Sequence, residues 1–265
     1  TTKIPKKQEP VRYQSTVGLS TDEIAEIVGR IEEVLASRRT GRPPLMSLAE
    51  QVEMLLLLLR RNLPQTVVAD LYQVSQPTVS RVYRRLVPLF DEVLCLHEPF
   101  FVDVLANRET LVDGTDVPTG NRAGTKENYS GKRHRQGLNI QIAADLDGTL
   151  LAVSAPAPVP GARHDRRAIS ECGWEPLLDT TVWTADPGYQ GTTATTPTKK
   201  PKNDELTDYQ KTVNKTISGR RSAVERAIAH LKNWKILATG HRGRLTELPN
   251  IIRIVARLEF YRLGW

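Results

Sequence analysis

The N-terminal part of the chain spaces its apolar residues three and four apart, as one face of a helix requires. A first helix is predicted from "STDE", where Ser20 can cap the helix and Glu23 can reach back to it, to about Ser37. Its apolar residues are Ile24, Ile27, Val28, Ile31, Val34 and Leu35. The same capping pattern in "SLAE", which starts at Ser47, opens a second helix to about Arg61.

A helix-turn-helix is predicted in "LPQTVVADLYQVSQPTVSRVYRRL". A short helix from Gln65 to Tyr72 is followed by a tight turn and a second helix from about Gln76. Pro77 is tolerated there because the first N–H groups of a helix lack intrahelical partners. In DNA-binding proteins this second helix enters the major groove. We expect base-edge contacts from Gln76, Thr78, Ser80 and Arg81, and phosphate contacts from Arg84 and Arg85.

The segment "RRTGRPP", which precedes the second helix, has two interpretations. It resembles an arm in which Arg42 enters a narrow, A·T-rich minor groove. It is about as well explained as a linker that ends the first helix.

From about residue 108 the pattern changes from helical spacing to strand-like segments. "TLVDGT" predicts one strand, "GLNIQIAADLDGTLLAVSAP" a hairpin that turns at Asp147-Gly148, and "TTVWTAD" a short fourth strand. Residues 192–217 predict a long polar loop. Two helices are expected after it, one from about Ser218 to Trp234 and one from Leu248 to Leu263.

These segments predict three regions. Residues 1–19 form a polar, basic leader that we expect to be disordered, residues 20–105 a helical DNA-binding region, and residues 106–265 an α/β domain with a mixed sheet flanked by helices.

Composition adds a preference for a polyanionic partner. The 265 residues include 37 basic and 30 acidic ones, with a net charge of +7. Cys95 and Cys172 have neither the spacing of a zinc site nor that of a disulfide framework, which favours two reduced thiols in a cytosolic protein. No segment approaches the length of a membrane span, and we expect no membrane partner.

Three acidic residues stand out by their positions: Asp113 ends the first strand, Asp186 ends the fourth, and Glu225 lies on a late helix. Taken singly, the two aspartates could form turns and Glu225 could belong to a solvated, salt-bridged helix face. A three-strand meander followed by a helix and a fourth strand suggests the ribonuclease-H-like order, in which the first and fourth strands are neighbours. Asp113 and Asp186 would then repel one another unless a cation lies between them, and oxygen ligands suit Mg²⁺.

Four blocks carry a resemblance to a known family: "DGTDVP" from Asp113, "GARHD" from Gly161, "ADPGYQG" from Ala185 and "RRSAVERAIAHLKNWKIL" from Arg220. Over roughly residues 41–262 the chain resembles DDE transposases of the Harbinger-like group, which includes bacterial insertion-sequence enzymes with a DDE superfamily endonuclease domain. One departure is Pro187, where the family often has Lys or a small polar residue.

The resemblance implies a ribonuclease-H-like catalytic domain in which Asp113, Asp186 and Glu225 bind two Mg²⁺ ions, for which Mn²⁺ would substitute. It implies hydrolysis of DNA at transposon ends, then strand transfer by the freed 3′-hydroxyl to target DNA. Terminal inverted repeats would be bound by a homodimer or larger assembly at the bacterial nucleoid. Two alternatives stay open: a non-catalytic DNA-binding regulator, and a nuclease that cuts without joining.

Other polar residues lie near this triad in sequence. His164 and Asp165 could support the metal site or contact DNA, or Asp165 could cap a helix. Asp116 is interpreted as a loop residue, and Asp145 and Asp147 as turn residues. The basic residues expected at DNA phosphates are Lys132, Arg133, Arg135, Lys199, Lys202, Arg221 and Lys232.

Overall fold

A computed structural model of the chain describes residues 14–36, 45–106, 108–120, 122–155, 158–202 and 204–265. Arg42 lies outside these residues, as does most of the expected leader. The chain divides into two compact units between Leu89 and Phe90. The boundary predicted from the sequence lies between residues 105 and 106.

The N-terminal unit is all-α. Its helices are α1 (Gln14–Val17), α2 (Thr21–Ala36), α3 (Leu48–Arg61), α4 (Gln65–Leu71) and the part of α5 (Gln76–Val93) before the division. Both predicted capping boxes are present: the hydroxyl oxygens of Ser20 and Ser47 accept the N–H groups of Glu23 and Glu50 at 3.3 and 3.2 Å. Helices, turn and caps in this region therefore follow the sequence pattern closely.

The apolar face of α2 is used inside the unit. Ile24, Ile27 and Ile31 are buried, and α2 packs against α3. The chain itself therefore covers this apolar face. The reason is that α3 carries an apolar run from Met54 to Leu59 that needs a partner along its length.

The C-terminal unit contains a six-stranded sheet. Its strands are β1 (Thr110–Pro118), β2 (Tyr129–Ser130), β3 (Arg135–Ala144), β4 (Leu150–Val153), β5 (Val159–Pro160) and β6 (Trp183–Thr184). The order is β2-β3-β1-β6, and β4 and β5 also pair with β3. All pairs are antiparallel except β1 with β6, which is parallel. The predicted adjacency of the first and fourth main strands is confirmed.

Five helices accompany the sheet: α6 (Phe101–Leu105), α7 (Asp165–Glu171), α8 (Glu175–Leu178), α9 (Asp208–Lys232) and α10 (Leu248–Leu263). Helix α9 begins ten residues before the predicted Ser218, because Thr207 and Gln210 form a capping box that the polar composition concealed. Helix α6 belongs to this unit, since Val104 and Leu105 are part of its apolar core. That packing explains why the unit starts before residue 106.

The side chains of neighbouring β1 residues lie on opposite faces of the sheet. Val112 packs in a buried cluster with residues of α7 and α8, including Ile169 and Leu178. Asp113, the next residue, contacts α9 through Arg221. Side chains alternate along a strand, so helices on both faces meet at this point of β1. The result is a mixed sheet flanked by helices, the ribonuclease-H-like arrangement.

No helix in the described ranges is both long enough and apolar enough to span a membrane.

Candidate active site

Asp113 and Asp186 lie at neighbouring positions because their strands are parallel neighbours. Leu111 on β1 is in register with Thr184 on β6, and each aspartate follows two residues later. Each carboxylate is held by a nearby amide: Asp113 accepts the N–H of Gly114 at 2.8 Å, and Asp186 accepts the N–H of Gly188 at 2.7 Å. The parallel pairing thus directs two carboxylates to one region of the sheet.

The electrostatics of Asp113 are those of a crowded anionic site. Burial raises the pKa of this carboxyl to about 6, and the negative charges of Asp186 and Asp165 push it in the same direction. The nearby charge of Arg221 opposes the shift. The Arg221 guanidinium lies 3.5 Å from Asp113, and both side chains are less than one fifth exposed.

The hydrogen-bond donors of Arg221 are not all used. Its Nε atom is buried and has no hydrogen-bond partner among the described residues. From the sequence, Arg221 is expected at a DNA phosphate, whereas in the structure its guanidinium faces the carboxylate of Asp113. It therefore provides the positive charge that compensates Asp113 in this structure.

Glu225 lies one helical turn beyond Arg221 on α9, and positions four apart on a helix are surface neighbours. Its side chain is exposed, unlike those of Asp113 and Arg221. Within the described part of the chain, no three His, Cys, Asp or Glu side chains form a group that could hold a metal ion. The structure thus brings Asp113 and Asp186 together, and Glu225 is on the neighbouring helix without joining a three-ligand group.

Asp165 joins the two aspartates at the site. It is the first residue of α7, and it does not act as a helix cap, since the N-cap position is occupied by His164 without a side-chain cap bond. The Asp165 carboxylate instead accepts a hydrogen bond from Asn139 at 3.0 Å. Of the alternatives for Asp165, helix capping is therefore wrong.

A chain of hydrogen-bonded polar side chains inside the sheet supports Asp165 and was not predicted from the sequence. The buried Tyr189 hydroxyl donates to Gln141 at 2.5 Å, and the Gln141 amide donates to Asn139 at 2.9 Å. Burial raises the pKa of Tyr189, and so do the charges of Asp165, Asp113 and Asp186. The available signal was the pair of amides at alternate positions of β3, where a core strand would otherwise be apolar on that face.

The chemistry of the individual donors suits a divalent cation, and the described side chains do not themselves form a three-ligand group in this structure. Carboxylate oxygens are the ligands that Mg²⁺ and Mn²⁺ accept. Burial chiefly, and then the charges of Asp186 and Asp165, raise the pKa of Asp113, and a bound cation would favour its charged form.

The helix-turn-helix presents its predicted residues unevenly. Gln76, Arg81, Arg84 and Arg85 are exposed, whereas Thr78 and Ser80 are half-buried. Several of these side chains have partners within the unit: Gln76 donates to Gln65 at 2.7 Å, and Arg81 donates to the carbonyl of Pro77 at 3.2 Å. Arg85 donates to the buried Gln51. The side chain of Arg84 is exposed to solvent.

Three basic side chains near the start of β3 are exposed in the C-terminal unit: Lys132 and Arg133 in the turn after β2, and Arg135 as the first residue of β3. Lys199 and Lys202 are exposed as well. Asp116 is a residue of β1, where it pairs with Arg135 at 2.7 Å and with Arg133 at 3.5 Å, so its interpretation as a loop residue is wrong.

Lys232 does not lie on an open surface. Its ammonium donates to the carbonyls of Asp116 and Leu237, and burial lowers its pKa to about 8. The expected phosphate contact conflicts with this position, because the late turn of α9 packs against β1 and its lysine is used to join them.

Comparison with known proteins agrees with both units. A family model described as "DDE superfamily endonuclease" matches residues 112–259, and one described as "Helix-turn-helix of DDE superfamily endonuclease" matches residues 43–96. A Streptomyces albus G protein named "Putative transposase for insertion sequence element IS112" is 30% identical over 231 residues, which is 86% of this chain and 86% of that protein. No solved structure matches the chain. With most of its length covered by these matches, the chain belongs to the DDE superfamily endonucleases.

Proposed function

We propose that the chain is the transposase of a bacterial insertion sequence and that Asp113, Asp186 and Glu225 are its catalytic acids. The observation that carries this proposal is the convergence of Asp113 and Asp186 from parallel, adjacent strands. Membership of the endonuclease family and the similarity to a protein named as a transposase support the same function. The matched helix-turn-helix supports binding to double-stranded DNA.

The three acids would hold divalent cations, Mg²⁺ in the cell and Mn²⁺ as a substitute. When bound, two such ions stabilise the attacking and leaving oxygens of a phosphodiester displacement. The chain's own part is to fix the carboxylates: the N–H groups of Gly114 and Gly188 orient Asp113 and Asp186. Water and then a DNA 3′-hydroxyl serve as nucleophiles, so the chemistry requires no Ser, Tyr or Cys nucleophile.

DNA recognition is assigned to the helix-turn-helix and to exposed basic residues. We propose that the second helix, α5, reads the terminal inverted repeats, with Arg84 at phosphate. The exposed Lys132 and Lys199 are proposed to contact phosphate near the acids. A homodimer or larger assembly would hold two transposon ends at once.

The test is a strand-cleavage assay with DNA that carries the element's ends, in the presence of Mg²⁺. Asp113→Asn, Asp186→Asn and Glu225→Gln should each reduce cleavage by at least about a thousandfold while leaving DNA binding intact. Asp208→Asn is the matched control, since it makes the same chemical change at a side chain that is 99% exposed. Cleavage by Asp113→Asn at the wild-type rate would remove the catalytic assignment.

Two observations favour the rival function, a DNA-binding regulator without catalysis. Asp113 is already paired with Arg221, and Glu225 does not join a three-ligand group among the described residues. Binding to inverted repeats without any cation-dependent nicking would favour this rival. A pre-cut substrate with a free 3′-hydroxyl tests joining separately, because a nuclease that only cuts would give no joined product.

A further inference from the structure

Asp165 occupies an unfavourable place for a carboxylate. Its charge acts on both Asp113 and Tyr189, and it lies against the loop that carries Asp186, near Gly188. In the described part of the chain it accepts a hydrogen bond from one neutral amide, that of Asn139, and forms no ion pair. Like charges gathered in a partly desolvated place oppose folding, so an anion here needs a compensating reason.

The backbone around Asp165 leaves room for its carboxylate. A Cβ atom at Gly114 would lie 2.4 Å from Oδ1 of Asp165, which is inside any real contact distance. A Cβ at Gly188 would lie 3.5 Å from Oδ2 of Asp165 and 2.7 Å from the carboxylate of Asp186. Two glycines therefore form a cradle in which Asp165 approaches the backbone beside Asp113 and Asp186.

A chain of hydrogen bonds fixes the orientation of the Asp165 carboxylate. Asn139 donates to it, Gln141 donates to Asn139, and the hydroxyl of Tyr189 donates to Gln141. Gln141 and Tyr189 are almost fully buried. Since Tyr189 follows Asp186 within the same short turn, the chain of hydrogen bonds joins the loop of Asp186 to the carboxylate of Asp165.

We propose that Asp165 is a further acidic residue beside the cation site, which acts through a water ligand on the divalent cation held by Asp113 and Asp186. Asn139, Gln141 and Tyr189 are its positioning residues. This inference rests on the proposed function and adds an anionic group that the three-acid assignment does not contain. Groups that orient metal ligands and their waters typically change metal affinity by about 10- to 100-fold.

The test is a titration of the full-length, metal-free protein with Mn²⁺, read by calorimetry or by the electron paramagnetic resonance of free Mn²⁺. Asp165→Asn should weaken Mn²⁺ binding by about 10- to 100-fold. Asn139→Ala, which keeps the charge but frees the carboxylate, should weaken it several-fold. Asp208→Asn should bind Mn²⁺ as the wild type does.

Thermal unfolding without metal separates this role from a structural one. Asp165→Asn keeps an oxygen that can accept the Asn139 hydrogen bond and removes one of three crowded charges, so its unfolding temperature should equal or exceed that of the wild type. Reduced stability together with reduced Mn²⁺ affinity would assign Asp165 to the fold and overturn the proposal.

The outcome for Asp113→Asn distinguishes this inference from the proposed function. If Asp113→Asn loses Mn²⁺ binding and Asp165→Asn does not, the role of Asp165 is refuted and the proposed function stands. If neither variant changes Mn²⁺ binding, the cation site and the function built on it are both refuted.

Discussion

The close approach of Asp165 to Gly114 gives a prediction whose size can be worked out from distances. In Gly114→Ala, the new methyl group would lie 2.4 Å from Oδ1 of Asp165 and 3.1 Å from Nε2 of Gln141. Ordinary contact between such atoms needs ~3.5 Å, so the Asp165 carboxylate must retreat by about 1 Å. The obstacle is the end of a side chain, so the fold should survive the change.

The cost follows from the hydrogen bond that this movement breaks. Asn139 donates to Asp165 at 3.0 Å, and a shift of about 1 Å removes that contact. A hydrogen bond to a charged group contributes about 1.5–3 kcal/mol, and replacing Gly by Ala returns about 0.4–1 kcal/mol through the unfolded chain. The free energy of unfolding should fall by about 1–2 kcal/mol. The affinity for Mn²⁺ should fall several-fold, which is the effect expected for Asn139→Ala.

Urea unfolding and Mn²⁺ titration of the same preparations measure both effects. Gly131→Ala is the matched control, because a Cβ at Gly131 meets nothing within 4 Å. It should change the free energy of unfolding by no more than about 0.5 kcal/mol. If Gly114→Ala is as stable as Gly131→Ala and binds Mn²⁺ normally, the packing of Asp165 against β1 cannot have the role given to it here.

Three further predictions concern other parts of the chain. Gly161→Ala should destabilise the fold more than Gly114→Ala does and yield little folded protein by circular dichroism. Its Cβ would lie 2.6 Å from the carbonyl oxygen of Gly137, and backbone atoms cannot move away as the end of a side chain can. The pKa of Lys232 is lowered from 10.5 to about 8, so between these values the unfolded chain binds more protons. As the pH rises from 8 to 10.5, the free energy of unfolding of the wild type should therefore increase by up to about 3 kcal/mol relative to that of Lys232→Met. Urea titrations across this pH range measure the difference. Parallel pH dependences of the two proteins would refute the prediction. Ser47→Ala removes the cap of α3 and should cost about 0.5–2 kcal/mol in urea unfolding, whereas an unchanged midpoint would show that the cap is dispensable.

Sequence patterns between nearby residues predicted most of the helices, and the order of the strands predicted the pairing of β1 with β6. Both serine capping boxes are visible as short motifs, because a cap depends on residues three positions apart. The start of α9 escaped the same rule: Thr207 and Gln210 also form a capping box, but they lie in a polar stretch without an apolar stripe. The predicted neighbourhood of Asp113 and Asp186 is confirmed, since it depends only on strand order.

The sequence alone determined the family blocks, the helix-turn-helix and the pair of aspartates on neighbouring strands. The prediction that Asp113 ends its strand was wrong, because β1 continues to Pro118 in its pairing with β3. The tertiary structure decided which charges face one another: Arg221 faces Asp113, Lys232 joins α9 to β1, and Asp165 lies against Gly114. The physical reason is range. Capping and alternation act between residues a few positions apart, whereas a charge responds to every group that folding brings within a few ångströms, however distant in the chain.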